Sequence, residues 1–472
     1  MKRPWSHMSK LALMIVLALG LALTGCENAR EPLAPDNSVE GLAKKPGAVK
    51  PAANGQINIL LKTEATDAIL AELENYGKVV DVIDQINAVV LRGKGNVLSK
   101  VQSLSFVETA NPDAERNIPP LDFVQATDFS YGISTWNLDA VNVTDTYFNA
   151  ENELIATGRV MPYTGEKVYM GILDTGLLHT WRSYFPEERI AEQYARSFGG
   201  GPRGATPTQP NKWEHDTDSH GTHVTSTVIG YNLGDTPVNG VAPNVNIIPV
   251  KVLNQNGSGW SSVISAGIKY MGDLKAGPLS DYPVIVNMSL GGPVLDAVEK
   301  AAIDYAIAQG VIIVASAGNN GPYGMGYPGA YEPVISVAAS GWVQEFSIGP
   351  WWFALNLNEG DDVLSEYYIP SFSSVALPGQ DLDVTAPGSF VVGPYQLQMG
   401  QLSYYFLSGT SMASPHVAGI VALMTEKYPD LTQSQAEKIL TEAAKPFNES
   451  YYDPENFGSG FVTADAALDG TP

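Results

Sequence analysis

Three short segments of the chain carry the side chains that nucleophilic catalysis needs. Asp174 stands with Thr175 and Gly176 at the end of an apolar run that begins at Val168. His220 opens the segment His220, Gly221, Thr222, His223, Val224. Ser411 lies within Gly409, Thr410, Ser411, Met412, Ala413, Ser414, Pro415, His416, Val417, Ala418, Gly419. A serine hydroxyl is a poor nucleophile at neutral pH, so it needs an adjacent base that a carboxylate holds in one tautomer. Singly, each segment has a plainer reading: Asp174 as a helix cap, His220 and His223 as a metal pair, Ser411 as the start of a capped, buried helix. Together they supply nucleophile, base and orienting acid. The two histidines lie three apart with no glutamate between them, unlike a metallopeptidase helix. The glycine, any, serine, any, glycine elbow of other serine hydrolases is absent around Ser411.

Val168 to Leu173 reads as a buried strand, which puts Asp174 at the carboxyl edge where open α/β sheets keep their sites. Glycine beside His220 permits close backbone approach. Ser411 is followed by small residues and then Ile420, Val421, Ala422 and Leu423, the pattern of a helix that passes through a crowded core. Pro415 predicts a first-turn position, which places Ser411 at the helix N-terminus. Unpaired amides and the positive dipole end there favour developing negative charge. From about Tyr131, apolar strands alternate with helices, the sign of a mostly parallel sheet with helices on both faces. Before it, Ile57, Ile59 and Leu61 alternate like a strand, and Ile69, Leu70, Leu73 and Tyr76 recur at helical spacing. Val79 to Ile83, Ala88 to Leu91 and Val107 to Ala110 predict three more strands, with a second helix capped by Asn96 and carrying Val97, Leu98, Val101 and Leu104. The order βαββαβ is that of a small α+β ferredoxin-like unit.

The order Asp, His, Ser separates this arrangement from the chymotrypsin and α/β-hydrolase orders. At these three blocks the chain resembles the subtilisin-like serine proteases (subtilases, peptidase family S8), over about Tyr131 to Leu468. The resemblance implies a subtilisin-like α/β fold and serine endopeptidase activity on proteins and peptides, with Asp174, His220 and Ser411 as the catalytic set. It gives Asn319, in Ser316, Ala317, Gly318, Asn319, Asn320, the role of side-chain donor to the oxyanion, beside the helix start at Ser411. It makes Ser289, Leu290, Gly291 and Gly292 an edge that pairs with extended substrate, with Ser316, Ala317 and Gly318 as the opposite edge and Gly409 beside the nucleophile. Before Tyr327, Pro328 and Gly329, Gly326 becomes the floor of the first subsite, open to large apolar side chains. The ferredoxin-like unit becomes an inhibitor-like propeptide that the enzyme removes itself, within the segment Asn111 to Ser130. No cofactor is required for the chemistry; structural calcium is an expectation of the family without ligands that can be named.

The rest of the chain sets location and excludes partners. Of 472 residues, 27 are basic and 50 acidic, and the formal charge of -23 repels phosphate backbones, so nucleic acid is excluded as a partner. Lys2, Arg3 and Lys10 precede the apolar run Leu11 to Leu23, which fits an export signal and is too short to span a bilayer. Leu23, Thr24, Gly25 and Cys26 resemble a bacterial lipobox, which implies cleavage before the single cysteine, lipidation of Cys26 and anchorage on the periplasmic or extracellular side of a membrane. The expected organisation is a signal at 1–25, a flexible tether at 26–54, the propeptide at 55–115, a linker at 116–130 and the peptidase at 131–472. Two stretches depart from the family pattern: Ala339 to Ser371, with Trp342, Trp351, Trp352 and Phe353 before Asn358 to Asp362, and Ser389 to Phe406, with Tyr395, Tyr404 and Tyr405. Either could shape substrate access. The first reads as a surface loop over its own aromatics, because its acids lack calcium-loop spacing.

Overall fold

The alternation Ile57, Ile59, Leu61 produces strand β1 (Gln56–Leu61), whose neighbours in the chain complete a four-stranded sheet. Residues 55–118, 122–126, 136–148, 154–199, 212–234, 236–342, 367–447 and 457–472 are described by the computed structural model, all within one compact unit. After β1 come α1 (Asp67–Glu74), β2 (Gly77–Ile83), β3 (Ala88–Gly93), α2 (Leu98–Gln102) and β4 (Val107–Pro112). The strand order β2-β3-β1-β4 is the antiparallel split βαβ arrangement that the sequence order predicts. Asn96 does not cap α2. That helix is only five residues long, begins after Val97 and has no side-chain cap, its position held instead by the buried Val101.

Two short strands follow, β5 (Glu115–Asn117) and β6 (Asp122–Ala126), which leave the small domain for the large one. The large domain is built on an eight-stranded sheet. Its strands are β7 (Tyr169–Asp174), β8 (Arg196–Ser197), β9 (Asn246–Lys251), β11 (Val284–Met288), β12 (Val311–Ser316), β13 (Ile335–Trp342), β14 (Tyr367–Tyr368) and β15 (Val384–Pro387), while β10 (Ser258–Trp260) pairs with β5 instead. The order is β8-β9-β7-β11-β12-β13-β14, with β15 also on β13, and every pair is parallel except β13 with β14. Strands such as Val284–Met288 and Val311–Ser316 are buried throughout, as a sheet covered on both faces requires. The covering helices are α3 (His220–Ile229), α4 (Ser261–Ala276), α5 (Ala297–Ala308), α6 (Thr410–Lys427), α7 (Gln433–Ala443) and α8 (Ala464–Asp469). Helix α6 is buried from Thr410 to Thr425; its small residues let it run through the core, and a Cβ on Gly419 would lie 2.7 Å from Val241.

The two departures from the expected pattern leave and rejoin the sheet in different ways. Residues 343–366, which include Trp351 and Asn358 to Asp362, lie outside the described set, but Trp342 before them is fully buried and β13 pairs with β14 after them. The second stretch is a hairpin of β16 (Val391–Pro394) and β17 (Tyr404–Ser408). Strand β6 adds to its edge, from Ser408 opposite Asp122 to Tyr404 opposite Ala126.

Candidate active site

Strand β7 ends at Asp174 and helix α3 begins at His220, and a glycine allows the two to meet. A Cβ on Gly221 would lie 2.4 Å from Gly176 O and 3.2 Å from Asp174 Oδ1, so only glycine fits there. His220 Nδ1 is 2.9 Å from both carboxylate oxygens of Asp174. Burial opposes a charge on the imidazole, but Asp174, with Asp218 and Asp216, outweighs it, so the His220 pKa is raised above 6.5. The turn into α3 is held in an unusual conformation: Ser219 has φ 83°, left-handed for a residue that is not glycine. Asp216 accepts from the N–H groups of Asp218 and Ser219, and Ser219 Oγ exchanges hydrogen bonds with the backbone of Gln396.

Ser411 is the second residue of α6, at the helix N-terminus as its sequence predicts. Pro415, however, is in the second turn, not the first. A helix tolerates it there because the bond it cannot make would have gone to Ser411 O, which accepts from Ser289 Oγ at 2.8 Å instead. Ser289 Oγ in turn accepts from Asn287 Nδ2 at 3.1 Å, and Asn287 Oδ1 accepts from Ser414 Oγ at 2.7 Å. Asn287 was not among the expected site residues; its signal was a single polar side chain inside the otherwise apolar strand Val284–Met288.

Asp174, His220 and Ser411 are all fully buried. Ser411 Oγ donates to Ser289 O at 3.3 Å, and His220 Nε2 has no partner among the described residues. The carboxylate–imidazole contact is therefore made, while the serine hydroxyl is bonded to the Ser289 carbonyl. Asn319 lies three residues beyond β12, where its Oδ1 accepts from Thr410 N at 2.9 Å and Thr410 Oγ1 at 2.8 Å. Those two bonds orient the carboxamide beside the start of α6. His223 and His416 are structural: His223 Nε2 lies against the carbonyls of Val391 and Tyr405, His416 bridges Met412 O and Asn137, and burial pushes their pKa values down to about 3 and about 4.

The expected substrate edges are adjacent. Gly292 and Tyr327 exchange both backbone hydrogen bonds, and Gly326 N donates to Ala317 O, so Gly326 lies between the Ser289–Gly292 and Ser316–Gly318 segments. A Cβ on Gly326 would meet Gly292 at 3.4 Å, ordinary contact. Gly318 (φ 107°) donates to Thr410 Oγ1, and Gly409 is extended and donates to Gly388 O. Leu290 is buried beneath the edge. Residues of the linker lie along it. Asn117 exchanges both backbone hydrogen bonds with Gly291, Ile118 N donates to Gly257 O, and β5 pairs antiparallel with β10 on its other side. For calcium, the fold brings together Asp381, Asp383 and Glu437, whose ligand atoms lie within 4.8 Å of one another. Asp383 Oδ2 already accepts from Ser336 N and Oγ, which leaves the cluster only part of a cation's shell.

Known proteins match this arrangement. The model of the subtilase family covers residues 165–460. Subtilisin DY of Bacillus licheniformis is 36% identical over 309 residues, 65% of this chain and 92% of that protein. Subtilisin E of Bacillus subtilis (strain 168) is 33% identical over 309 residues, 65% of this chain and 66% of that protein. Among solved structures, fervidolysin from Fervidobacterium pennivorans, a keratinolytic enzyme related to subtilisin, has a TM-score of 0.65 at 24% identity, covering 91% of this chain and 63% of that one, a likeness of fold alone. Sphericase has a TM-score of 0.53 at 26% identity, covering 72% and 99%. A doubly covered parallel sheet, an Asp–His pair at its carboxyl edge, a serine at a buried helix start and a family model over most of the large domain lead to one assignment: the chain belongs to the subtilase family of serine endopeptidases.

Proposed function

We propose that Ser411 is the nucleophile, His220 the general base and Asp174 the group that orients and charges that base. Ser411 Oγ attacks the scissile carbonyl as His220 Nε2 takes its proton, and His220 then gives that proton to the departing amine. Water repeats the sequence in reverse to release the acyl group. Asp174 keeps its charge throughout and holds the Nδ1–H. Asn319 Nδ2 and the Ser411 N–H take the oxyanion, each donor supporting the transition state by about 3 kcal/mol, a magnitude known from a subtilisin rather than derived from this chain. The observation that carries this reading is the bidentate contact of Asp174 with His220 at 2.9 Å, next to a helix-start serine. Ser411→Ala should abolish turnover and phosphonate labelling; a labelled, active Ser411→Ala protein refutes it.

Residues 55–115 act as an inhibitory propeptide in this reading, with the following linker in the cleft until it is cut. Support comes from the pairing of Asn117 with Gly291 and of Asp122 with Ser408. Gly326 forms an open, uncharged first subsite that favours large apolar residues, so Gly326→Val should depress cleavage after Phe and Leu more than after Ala, and a wild-type preference for Arg or Lys at that place refutes the assignment. Residues 1–54 lie outside the described set, and among the described residues no helix is long and apolar enough to cross a membrane. The lipobox-like sequence ending in Cys26 supports export and lipid anchorage. Cys26→Ala should release the protein from membranes; mass spectrometry that finds an unlipidated Cys26 rules the anchor out.

A further inference from the structure

The linker lies in the cleft as an extended peptide, and one of its side chains is buried against a carboxylate of the large domain. Arg116, the residue just before the one bridged to Gly291, is fully buried. Its guanidinium grips Glu299 on helix α5 through two bonds, Nε to Oε1 at 3.0 Å and Nη2 to Oε2, and Nη2 also donates to Val294 O at 2.9 Å. Glu299 is itself fully buried. Burial works against the charge on Arg116, but Glu299 outweighs it with help from Asp296 and Asp113, so its pKa is raised and the guanidinium stays charged. The pocket is shaped for this side chain. A Cβ on Gly292 would lie 2.7 Å from Arg116 Nη1 and 3.2 Å from its Cδ, so the glycine of the substrate edge leaves the room that the arginine fills.

Two features separate this from an internal ion pair of the precursor. Apart from the guanidinium itself, Arg116 is held by main-chain pairing, Arg116 opposite Gly259 and Asn117 opposite Ser258 and Gly291, a mode that any extended peptide can adopt. Glu299, Gly292 and Val294 all belong to the large domain, so the carboxylate stays when the linker leaves. Planar, two-point recognition of a guanidinium by a carboxylate is also more selective than a point charge.

We propose that the cleft contains an arginine subsite with Glu299 as its specificity determinant: a substrate paired to Gly291 places an arginine, from the residue immediately before the paired one, against Glu299 and Val294 O. This deepens the peptidase reading and rests on it. The test uses mature enzyme and fluorogenic peptides in which Arg, Lys or Leu is moved through each position upstream of the cleaved bond. Arg should raise kcat/KM over Leu at one position only, by about tenfold or more, with Lys between them. Glu299→Gln should bring the Arg-to-Leu ratio at that position close to one. No arginine preference at any position, or a ratio that survives Glu299→Gln, overturns the subsite. A second measurement needs no turnover. In full-length Ser411→Ala protein, Arg116→Leu and Glu299→Gln should each speed amide exchange at Asn117 and Ile118 by about tenfold or more, and the double variant no further. If the chain is inert, that result still decides: unchanged exchange removes the pocket, and accelerated exchange keeps it while the peptidase reading alone fails.

Discussion

His220 is gripped by both oxygens of one carboxylate, and that geometry sets the pH at which it can act. In the proposed mechanism the neutral imidazole accepts the proton of Ser411, and the Asp174 charge favours the protonated form, so the raised pKa moves the acid limb of activity upward. Burial is the largest effect in the opposite direction. kcat/KM should therefore rise with pH through an apparent pKa above 6.5; a limb at or below that value shows that Asp174 does not dominate. The same logic explains why Ser219 keeps a left-handed backbone at φ 83°. Strain of this kind costs about 1 to 3 kcal/mol and persists only when neighbours enforce it, here Asp216 and Gln396, which together aim the histidine.

Helices α4 and α5 present their N-termini to the small domain, and each receives polar partners across that contact. Helix α4 has no side-chain cap of its own. Asp113 supplies one, accepting from Ser262 N at 3.0 Å and from Ser262 Oγ at 2.8 Å. Asp296 caps α5 through Val298 N, and its other oxygen accepts from Asn58 and Asn111. Apolar residues of the small domain, Ile83, Ile86 and Ala88, join one buried cluster with Ile264, Ile268, Val298 and Ala302. Asp113→Ala removes a cap and leaves buried hydroxyls to find new partners. In full-length Ser411→Ala protein it should cost about 1 to 2 kcal/mol of stability, read as an earlier denaturation transition of the small domain. An unchanged transition means that the cap adds nothing to docking.

Across the whole molecule, the chain runs from β5, bridged to Gly291, to β6, paired with β17 as far as Ser408, with residues 119–121 between them in sequence. Under the proposed autoprocessing the first cut is intramolecular, because the chain's own linker would hold the place of a bound substrate. Maturation should then be first order, with a rate unchanged over a roughly hundredfold range of protein concentration; a rate proportional to concentration assigns the cut to a second molecule. The bonds before Pro119 and Pro120 are tertiary amides, with ring carbons where the departing N–H would stand. The mature amino terminus should accordingly be Leu121 or Asp122. Amino-terminal sequencing decides it, and a start beyond residue 122 or before 119 shows that the linker shifts before it is cut.

Sequence alone determined the features that depend on local pattern. Alternating Ile57, Ile59 and Leu61 and the buried run of β7 specified strands, and the small residues around Ser411 specified a helix with the serine at its start, because period and side-chain volume act within one element. Whatever depends on contacts between distant segments was left to the tertiary structure. Asn96 reads as a cap in the sequence, but helix α2 starts two residues later, where Val101 can be buried. Pro415 reads as a first-turn residue, and its place in the second turn is tolerated because Ser289, 122 residues before Ser411, supplies the hydrogen bond that Ser411 O would otherwise miss. Glu299 carries no signal in its own helix, since a carboxylate at one position of Ala297–Ala308 reads as solvated surface. Its meaning comes from Arg116, 183 residues away, brought to it in the dry interior by a strand pairing that no local pattern encodes.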